Sequence, residues 1–206
     1  MRKITLLFSI FFISISGIIL STRASLSESI SSDVGQELKA KCLEELDLLV
    51  GFGWGNLRHQ YAYRIIPLLA DFSFNLKPFL QKFNFNPKTL VQFQIEPFMG
   101  PIYSPHTNLE MGNTFWFKLG LLPDTSKFQP YVKAGAGFDY MTLHTYEQST
   151  QFNFIEQGAI GIHYFFTKNT AFTLEGRIRH LSNASIEEPN HGINTYYVVT
   201  GITYHF

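Results

Sequence analysis

A histidine and a serine stand two residues apart in the segment His180-Leu181-Ser182-Asn183-Ala184. On a β-strand, residues at positions i and i+2 share one face, and their Cα atoms lie about 7 Å apart. Side chains at that spacing can approach to hydrogen-bonding distance, which lets a histidine base activate a serine hydroxyl. The spacing therefore predicts a Ser–His pair for hydrolysis. The alternative is that two polar residues only mark the end of an apolar strand face.

The segment that precedes this pair alternates with a period of two, as a half-buried strand does. Phe172, Leu174 and Ile178 share the face of His180 and Ser182, whereas the opposite face is polar and carries Thr173, Glu175, Arg177 and Arg179. The pair thus lies at the end of an apolar face. Polar groups on such a face cost a few kcal/mol in lipid unless they are paired.

The composition favours one aromatic-rich, weakly charged domain. The chain has 206 residues, 45% of them apolar and 16% charged, with 21 Phe and a formal net charge of zero. These values argue against a disordered chain and against a nucleic-acid partner. A single cysteine, Cys42, excludes an internal disulfide and a multi-cysteine metal site. We expect no metal and no cofactor, because the remaining histidines are scattered without ligand spacing: His59, His106, His144, His163, His191 and His205.

The N-terminus has the organisation of an export signal. Arg2 and Lys3 precede an apolar run from Ile4 to Leu20, and Thr22-Arg23-Ala24 offers small residues for a signal peptidase. We expect residues 1–24 to be a signal peptide cleaved near Ala24 and residues 25–46 to be a periplasmic lead-in. An uncleaved membrane anchor is the alternative, although the run is short for a spanning helix.

Residues 47–206 contain eight alternating segments, each long enough to cross a bilayer as a tilted strand. They cover residues 47–57, 61–75, 89–102, 112–122, 129–143, 152–166, 170–183 and 194–206. We therefore predict an all-β fold, an eight-stranded antiparallel transmembrane β-barrel of the outer membrane. Its inward charges would pair in a narrow lumen, with Arg177 and Arg179 bound to acids such as Glu175 or Glu96. A soluble, lipocalin-like binder would instead need an apolar lumen.

The C-terminal Phe206 ends an alternating strand, which resembles the assembly signal of bacterial outer-membrane barrels. With an even number of strands, both chain ends lie on the periplasmic side. The seventh strand then runs outward, and His180 and Ser182 lie at the outer leaflet.

The segment from His180 to Ala184, followed by Pro189-Asn190-His191-Gly192-Ile193, resembles the lipid A 3-O-deacylases (PagL-like, acyloxyacyl hydrolase family). The similarity extends to Gly51-Phe52-Gly53-Trp54-Gly55 in the first strand. It implies an outer-membrane ester hydrolase that removes a 3-hydroxyacyl chain from lipid A and so modifies lipopolysaccharide, and it leaves a homodimer open. Carried over to this chain, it makes Ser182 the nucleophile and His180 the base, with the oxyanion site at Asn183 and Ala184.

The third member of the site departs from the family pattern. Where the family places a Glu, this chain has Asn194. An antiparallel register centred on Lys168-Asn169 sets Tyr164 opposite Phe172 and Glu156 opposite His180. Glu156 is therefore a possible surrogate acid, or else a solvated residue above the bilayer. The competing hypothesis for the whole protein is a structural or adhesive outer-membrane barrel whose site has decayed.

Overall fold

The computed structural model describes residues 43–58 and 62–206. The predicted signal peptide, nearly all of the predicted lead-in and His59 lie outside these ranges. The elements are β1 (Leu43–Gly55), β2 (Tyr63–Ile65), β3 (Leu68–Asn75), α1 (Lys77–Gln81), β4 (Thr89–Ser104), β5 (Asn108–Pro123), β6 (Phe128–Met141), β7 (Phe152–Phe165), β8 (Thr170–Ser182) and β9 (Ile193–His205).

The strands form one antiparallel sheet that closes on itself where β1 pairs with β9. β2 and β3 each pair with both β1 and β4, so they are two halves of a single strand that is interrupted at Ile66-Pro67. Pro67 lacks an N–H, but its carbonyl accepts from Gly51 N at 3.0 Å. The predicted eight-stranded closed barrel is confirmed.

Two strands begin earlier than the alternation indicated. β1 begins at Leu43 rather than near residue 47, and β5 begins at Asn108 rather than near residue 112. The acidic start of β1 resembles a polar lead-in, but Glu45 and Asp47 point into the lumen and are fully buried. Their charge therefore belongs to the barrel interior.

The strands alternate as predicted, with an apolar outer face and an inner face that carries charged and polar side chains together with a cluster of buried apolar ones. In β4, Gln92, Gln94 and Glu96 are buried in the lumen, and in β5 Phe115 and Phe117 face outward. An outer face of this kind is the one that a transmembrane barrel presents to lipid. Within residues 43–58 and 62–206, no helix is long and apolar enough to cross a membrane.

Ion pairs occupy one part of the lumen, and a cluster of buried apolar side chains that includes Leu49, Ile65 and Val199 occupies another. Lys133 Nζ lies 2.9 Å from both Asp71 and Glu175, and Arg177 lies 2.7 Å from Glu96 and 2.6 Å from Glu175. The predicted pairing of Arg177 is thus present. Arg179 instead pairs with Glu110, a partner that local sequence spacing could not indicate.

The lumen network generates a stability prediction. Lys133→Met should lower the free energy of unfolding by about 3–5 kcal/mol, because it leaves buried Asp71 without its cation and removes one of the two cations that bind Glu175. Lys168→Met makes the same change at an exposed position and should stay within about 0.5 kcal/mol. Urea titration of the folded barrel in detergent, followed by circular dichroism, measures both. Equal midpoints for the two variants would contradict the prediction.

Candidate active site

His180 and Ser182 lie at the end of β8, on the outward face. His180 is exposed and Ser182, the last residue of the strand, is half-buried. The β7–β8–β9 register places Glu156 and Asn194 directly beside His180, one on each neighbouring strand. The structure therefore brings all three outward polar side chains into one row across three strands.

Asn194 holds the imidazole. His180 Nδ1 lies 2.7 Å from Asn194 Oδ1, which is a hydrogen bond in which the ring N–H donates to the amide oxygen. This bond fixes the tautomer and leaves Nε2 as the basic nitrogen. This is the kind of contact by which an orienting residue holds a catalytic histidine.

Gly192 packs against the other edge of the His180 ring. A Cβ at this position would lie 3.0 Å from His180 Nε2 and closer still to Cε1. The backbone of Gly192 also has φ +71°, a conformation that side chains disfavour. Glycine is therefore required here, and the resulting contact, together with Asn194, sets the orientation of the ring. Sequence reasoning quoted this glycine as part of a motif but did not assign it this contact.

Glu156 lies where the counted register put it. Both predicted pairings, Tyr164 with Phe172 and Glu156 with His180, are present. The Glu156 side chain is exposed, and in the part of the chain that the structure describes no ion pair joins it to His180. It can contribute negative charge near the ring, whereas the direct contact belongs to Asn194.

Ser182 lies one residue beyond the last β8–β9 pair, Leu181 with Ile193. Across residues 43–58 and 62–206, no hydrogen bond joins its hydroxyl to His180 or to any other group. Such bonds are often long in free enzymes and tighten when substrate binds. Ser182 therefore shares the outward face of β8 with His180, and within the described residues its hydroxyl is not bound to another acceptor.

Asn183 is a structural anchor of the loop after β8. It is fully buried, its N–H donates to Asn190 Oδ1 at 3.0 Å, and its amide donates to Ser149 Oγ and to the Glu187 carbonyl. All of its donors are thus engaged. Asn183 joins the loop of residues 183–192 to the loop of residues 142–151, which a further bond from His191 N to Glu147 O also links.

Ala184 and Ser185 form a tight turn in the left-handed region, with φ values of 54° and 59°. The Ile186 N–H donates to the Asn183 carbonyl at 3.1 Å, which closes a four-residue turn of type I′. Left-handed conformations cost energy in residues other than glycine, and such strain is concentrated at functional sites. Among the described residues no acceptor takes the Ala184 N–H, so this donor is available next to Ser182.

An open groove of about 520 Å³ runs along the outer wall beside this row. Its outward-facing lining, hereafter the wall groove, consists of Ala134 from β6, Glu156 and Gly158 from β7, Ile178 and His180 from β8, and Asn194 and Tyr196 from β9. The groove is a depression in the wall because Ala134 and Gly158 have small or no side chains. The groove thus runs along the lipid-facing wall, with apolar side chains for part of its lining and the imidazole for another part.

A second cluster of ionisable side chains lies in the lumen. Glu45, Asp47 and His163 bring one potential metal-ligand atom each within 4.8 Å of one another. Among the described residues, they form the cluster whose spacing would suit a metal ion. Lys118 Nζ lies 2.5 Å from Glu45 and 2.6 Å from His163 Nε2. The ammonium group therefore already supplies a cation to Glu45 and occupies the space beside His163.

The chain matches the family model described as lipid A 3-O-deacylase (PagL) over residues 69–203. No curated protein sequence matches it closely enough to count as a relative. The matched region includes β3 through most of β9 and so contains every residue of the row at His180.

Solved structures share the fold. The crystal structure of the outer membrane enzyme PagL is 13% identical with a TM-score of 0.54, and the match covers 76% of this chain and 98% of that one. Neisserial surface protein A is 10% identical with a TM-score of 0.56, over 79% of this chain and 96% of that one. At these identities the likeness establishes the outer-membrane barrel fold.

Proposed function

The chain belongs to the lipid A 3-O-deacylase (PagL) family, and we propose that it is an outer-membrane esterase that removes an ester-linked 3-hydroxyacyl chain from lipid A. The observation that carries the proposal is the hydrogen bond of 2.7 Å from His180 to Asn194, with Ser182 on the same outward face. This arrangement supports an oriented base and a nucleophile on one outward face, next to a groove that His180 lines. Lipid A is the ester-bearing lipid of the outer leaflet that such a wall would meet.

In the first half of the reaction, His180 Nε2 takes the Ser182 hydroxyl proton while Oγ attacks the ester carbonyl carbon. The C–O bond to the sugar then breaks, and the proton on Nε2 passes to the departing sugar oxygen. The products of this half are a 3-deacylated lipid A and an acyl-Ser182 ester. Asn194 Oδ1 keeps its hydrogen bond to Nδ1–H throughout, so the ring does not turn.

In the second half, a water molecule gives a proton to His180 Nε2 and its oxygen attacks the acyl carbonyl. The bond between the acyl carbon and Ser182 Oγ breaks, and Oγ regains the proton from Nε2. A free 3-hydroxy fatty acid then leaves. Both tetrahedral intermediates carry a negative oxygen, for which a preorganised N–H is the usual stabiliser.

We assign the oxyanion donor to Ala184. Its N–H accompanies the turn that directly follows the nucleophile, and it has no acceptor within the described residues. Asn183, the other residue that the resemblance implies, has its N–H and both amide protons engaged, so its role here is to hold the turn.

The wall groove provides for the acyl chain. Gly158 and Ala134 leave space that Ile178 and Tyr196 border. An acyl chain laid here would keep apolar contact on one side with protein and on the other with lipid. Each buried methylene contributes about 0.8 kcal/mol, so the groove can select the chain without polar contacts.

The second candidate is a structural or adhesive barrel with a decayed site. Asn194 at the acid position is the observation that favours it, since loss of the carboxylate removes the charge that stabilises an imidazolium. The shared fold of Neisserial surface protein A illustrates that the barrel alone does not make an enzyme.

Lipid A mass spectrometry, with and without expression of the full chain, tests the proposal. Expression should produce lipid A that lacks one hydroxyacyl chain, with release of the free hydroxy fatty acid. Ser182→Ala and His180→Ala should each lower the rate by more than about 10³-fold. Both barrels should still fold, because neither side chain packs in the lumen. Unchanged lipid A with the wild-type chain would favour the second candidate, and activity in Ser182→Ala would remove the nucleophile.

The orienting residue is tested by Asn194→Ala, Asn194→Asp and Glu156→Gln. Asn194→Ala should lower the deacylation rate on the order of 10²- to 10⁴-fold, because the base loses its tautomer and orientation. Asn194→Asp keeps an oxygen at the same place and should retain activity. Glu156→Gln should stay close to wild type, since within the described residues Glu156 forms no ion pair with the ring. If Glu156→Gln alone were inactive, Glu156 would be the acid of the site.

The wall groove is tested by Gly158→Leu, with Gly176→Leu as the matched control. A Cβ at Gly158 meets only Ile178 side-chain atoms at 3.7 Å and beyond, and one at Gly176 meets nothing within 4 Å, so both substitutions fit the barrel. Gly158→Leu fills the groove and should lower kcat/KM about tenfold by displacing two methylene groups. Gly176 is not part of the groove lining and should tolerate the change. Equal effects of the two substitutions would place the acyl chain elsewhere.

A further inference from the structure

A second groove, of about 390 Å³, lies on the other side of the His180–Asn194 pair, at the rim of the barrel. We call it the rim groove. It includes Trp54 from β1, Arg58 from the loop after β1, Glu147 from the loop after β6, and His191 and Gly192 from the loop after β8. It shares Asn194 and Tyr196 with the wall groove. The two grooves therefore meet at Asn194, the hydrogen-bond partner of His180.

The chemistry of the rim groove differs from that of the wall groove. Trp54 is half-buried and faces outward, with its ring centroid 6.1 Å from that of Tyr196, so an aromatic face borders the groove. Arg58 is exposed and adds a permanent cation. An aromatic face next to a guanidinium suits a ligand that has both a ring and an anionic group.

Glu147 adds an acceptor that is already in place. It is 2% exposed, its Oε1 accepts the Arg58 N–H, and its Oε2 has no hydrogen-bond partner among the described residues. A buried carboxylate oxygen without a donor is costly, so a ligand hydroxyl or amide that binds it would be favoured. The Glu147 carbonyl also accepts a hydrogen bond from His191 N at 2.8 Å, so the loop after β6 and the loop after β8 are joined at this groove.

An ester substrate has an acyl part and an alcohol part, and each must be bound by a different part of the protein surface. If the acyl side lies in the wall groove, the alcohol side must leave the carbonyl in the opposite direction, across the His180 ring and Gly192 toward the rim groove. On the proposed function, the alcohol side is a hexosamine. Stacking face, cation and hydroxyl acceptor are the groups that a phosphorylated hexosamine would use.

We infer that the rim groove binds the phosphorylated glucosamine head of the substrate, with the sugar against Trp54, a hydroxyl or amide donated to Glu147, and the phosphate at Arg58. This inference rests on the proposed function and adds to it a specificity site for the sugar side of the ester.

The test uses the full-length Ser182→Ala barrel in zwitterionic detergent, so that binding is measured without turnover. The probe is 2,3-diacylglucosamine 1-phosphate, and phosphatidic acid with the same acyl chains is the sugar-free comparison. The chain has two tryptophans, and Trp116 is fully buried in the lumen, so a ligand-dependent change in emission reports on Trp54. Trp54→Phe should abolish the signal.

The sugar probe should bind saturably and more tightly than phosphatidic acid, and Arg58→Ala should weaken its Kd about tenfold. Arg64→Ala is the matched control. Arg64 is the neighbouring outward arginine, its guanidinium is bound to the carbonyls of Gly55 and Tyr63, and it does not line the groove. In the active chain, Arg58→Ala should raise KM for lipid A and leave kcat unchanged.

Equal affinity for the two probes would overturn the assignment to a sugar, and an Arg58→Ala variant with unchanged Kd and KM would overturn the phosphate contact. These outcomes differ from failure of the proposed function. In that case the active chain releases no fatty acid from lipid A, whereas the binding of the sugar probe to Ser182→Ala is measured independently of hydrolysis.

Discussion

The antiparallel hydrogen-bond ladder of the closed barrel is the constraint on which the site depends. In lipid, backbone groups have no other partners, so every strand must pair on both sides and the register cannot slip without turning each side chain to the other face. The pairings of His180 with Glu156 and with Asn194 are consequences of this ladder. The site therefore needs no cavity of its own, because the wall already fixes the spacing of its side chains.

The lumen stiffens the wall from behind. Arg179 lies between Ile178 and His180 in the sequence, but its side chain points inward. Its Nε donates to Thr195 Oγ1 at 2.9 Å. Thr195 in turn follows Asn194. On the outer face, β8 and β9 are joined by the contact of His180 with Asn194. On the inner face, the adjacent residues Arg179 and Thr195 join the same two strands. Arg179 also pairs with Glu110 of β5, which ties this part of the wall to the far side of the barrel.

Local alternation was sufficient to predict the strands, the facing of their side chains and the β7–β8 register, because period two and a short turn determine all three. Alternation was insufficient to predict ion-pair partners on distant strands. It was also insufficient where acidic residues at the start of a strand resembled a polar segment outside the barrel. The pairing of Arg179 with Glu110 joins residues 69 positions apart. The acids at the start of β1 resembled a polar lead-in because their burial depends on Lys118 and the rest of the lumen.

The loop residues of the site show the same limit of local reasoning. The resemblance grouped Asn183 with Ala184, but the structure separates them, since Asn183 uses its donors on Ser149, Glu187 and Asn190 from two loops. That distinction depends on how the two loops meet, which no spacing within one segment encodes. Gly192 is similar, because its need for glycine arises from the His180 ring on the neighbouring strand.

Position 194 carries an Asn where the resemblance implies a Glu, and this difference has a physical consequence for His180. A carboxylate would both orient the ring and stabilise its charged form, whereas the Asn194 amide does only the first. Glu156 lies on the opposite flank, and directly opposed residues have Cβ atoms about 5 Å apart. Its exposed carboxylate is screened by water, so its effect on the imidazolium is weaker than that of a bonded acid. On the proposed mechanism, the orientation of His180 therefore depends on the Asn194 amide, and Glu156 does not replace at full strength the charge that a bonded carboxylate would add.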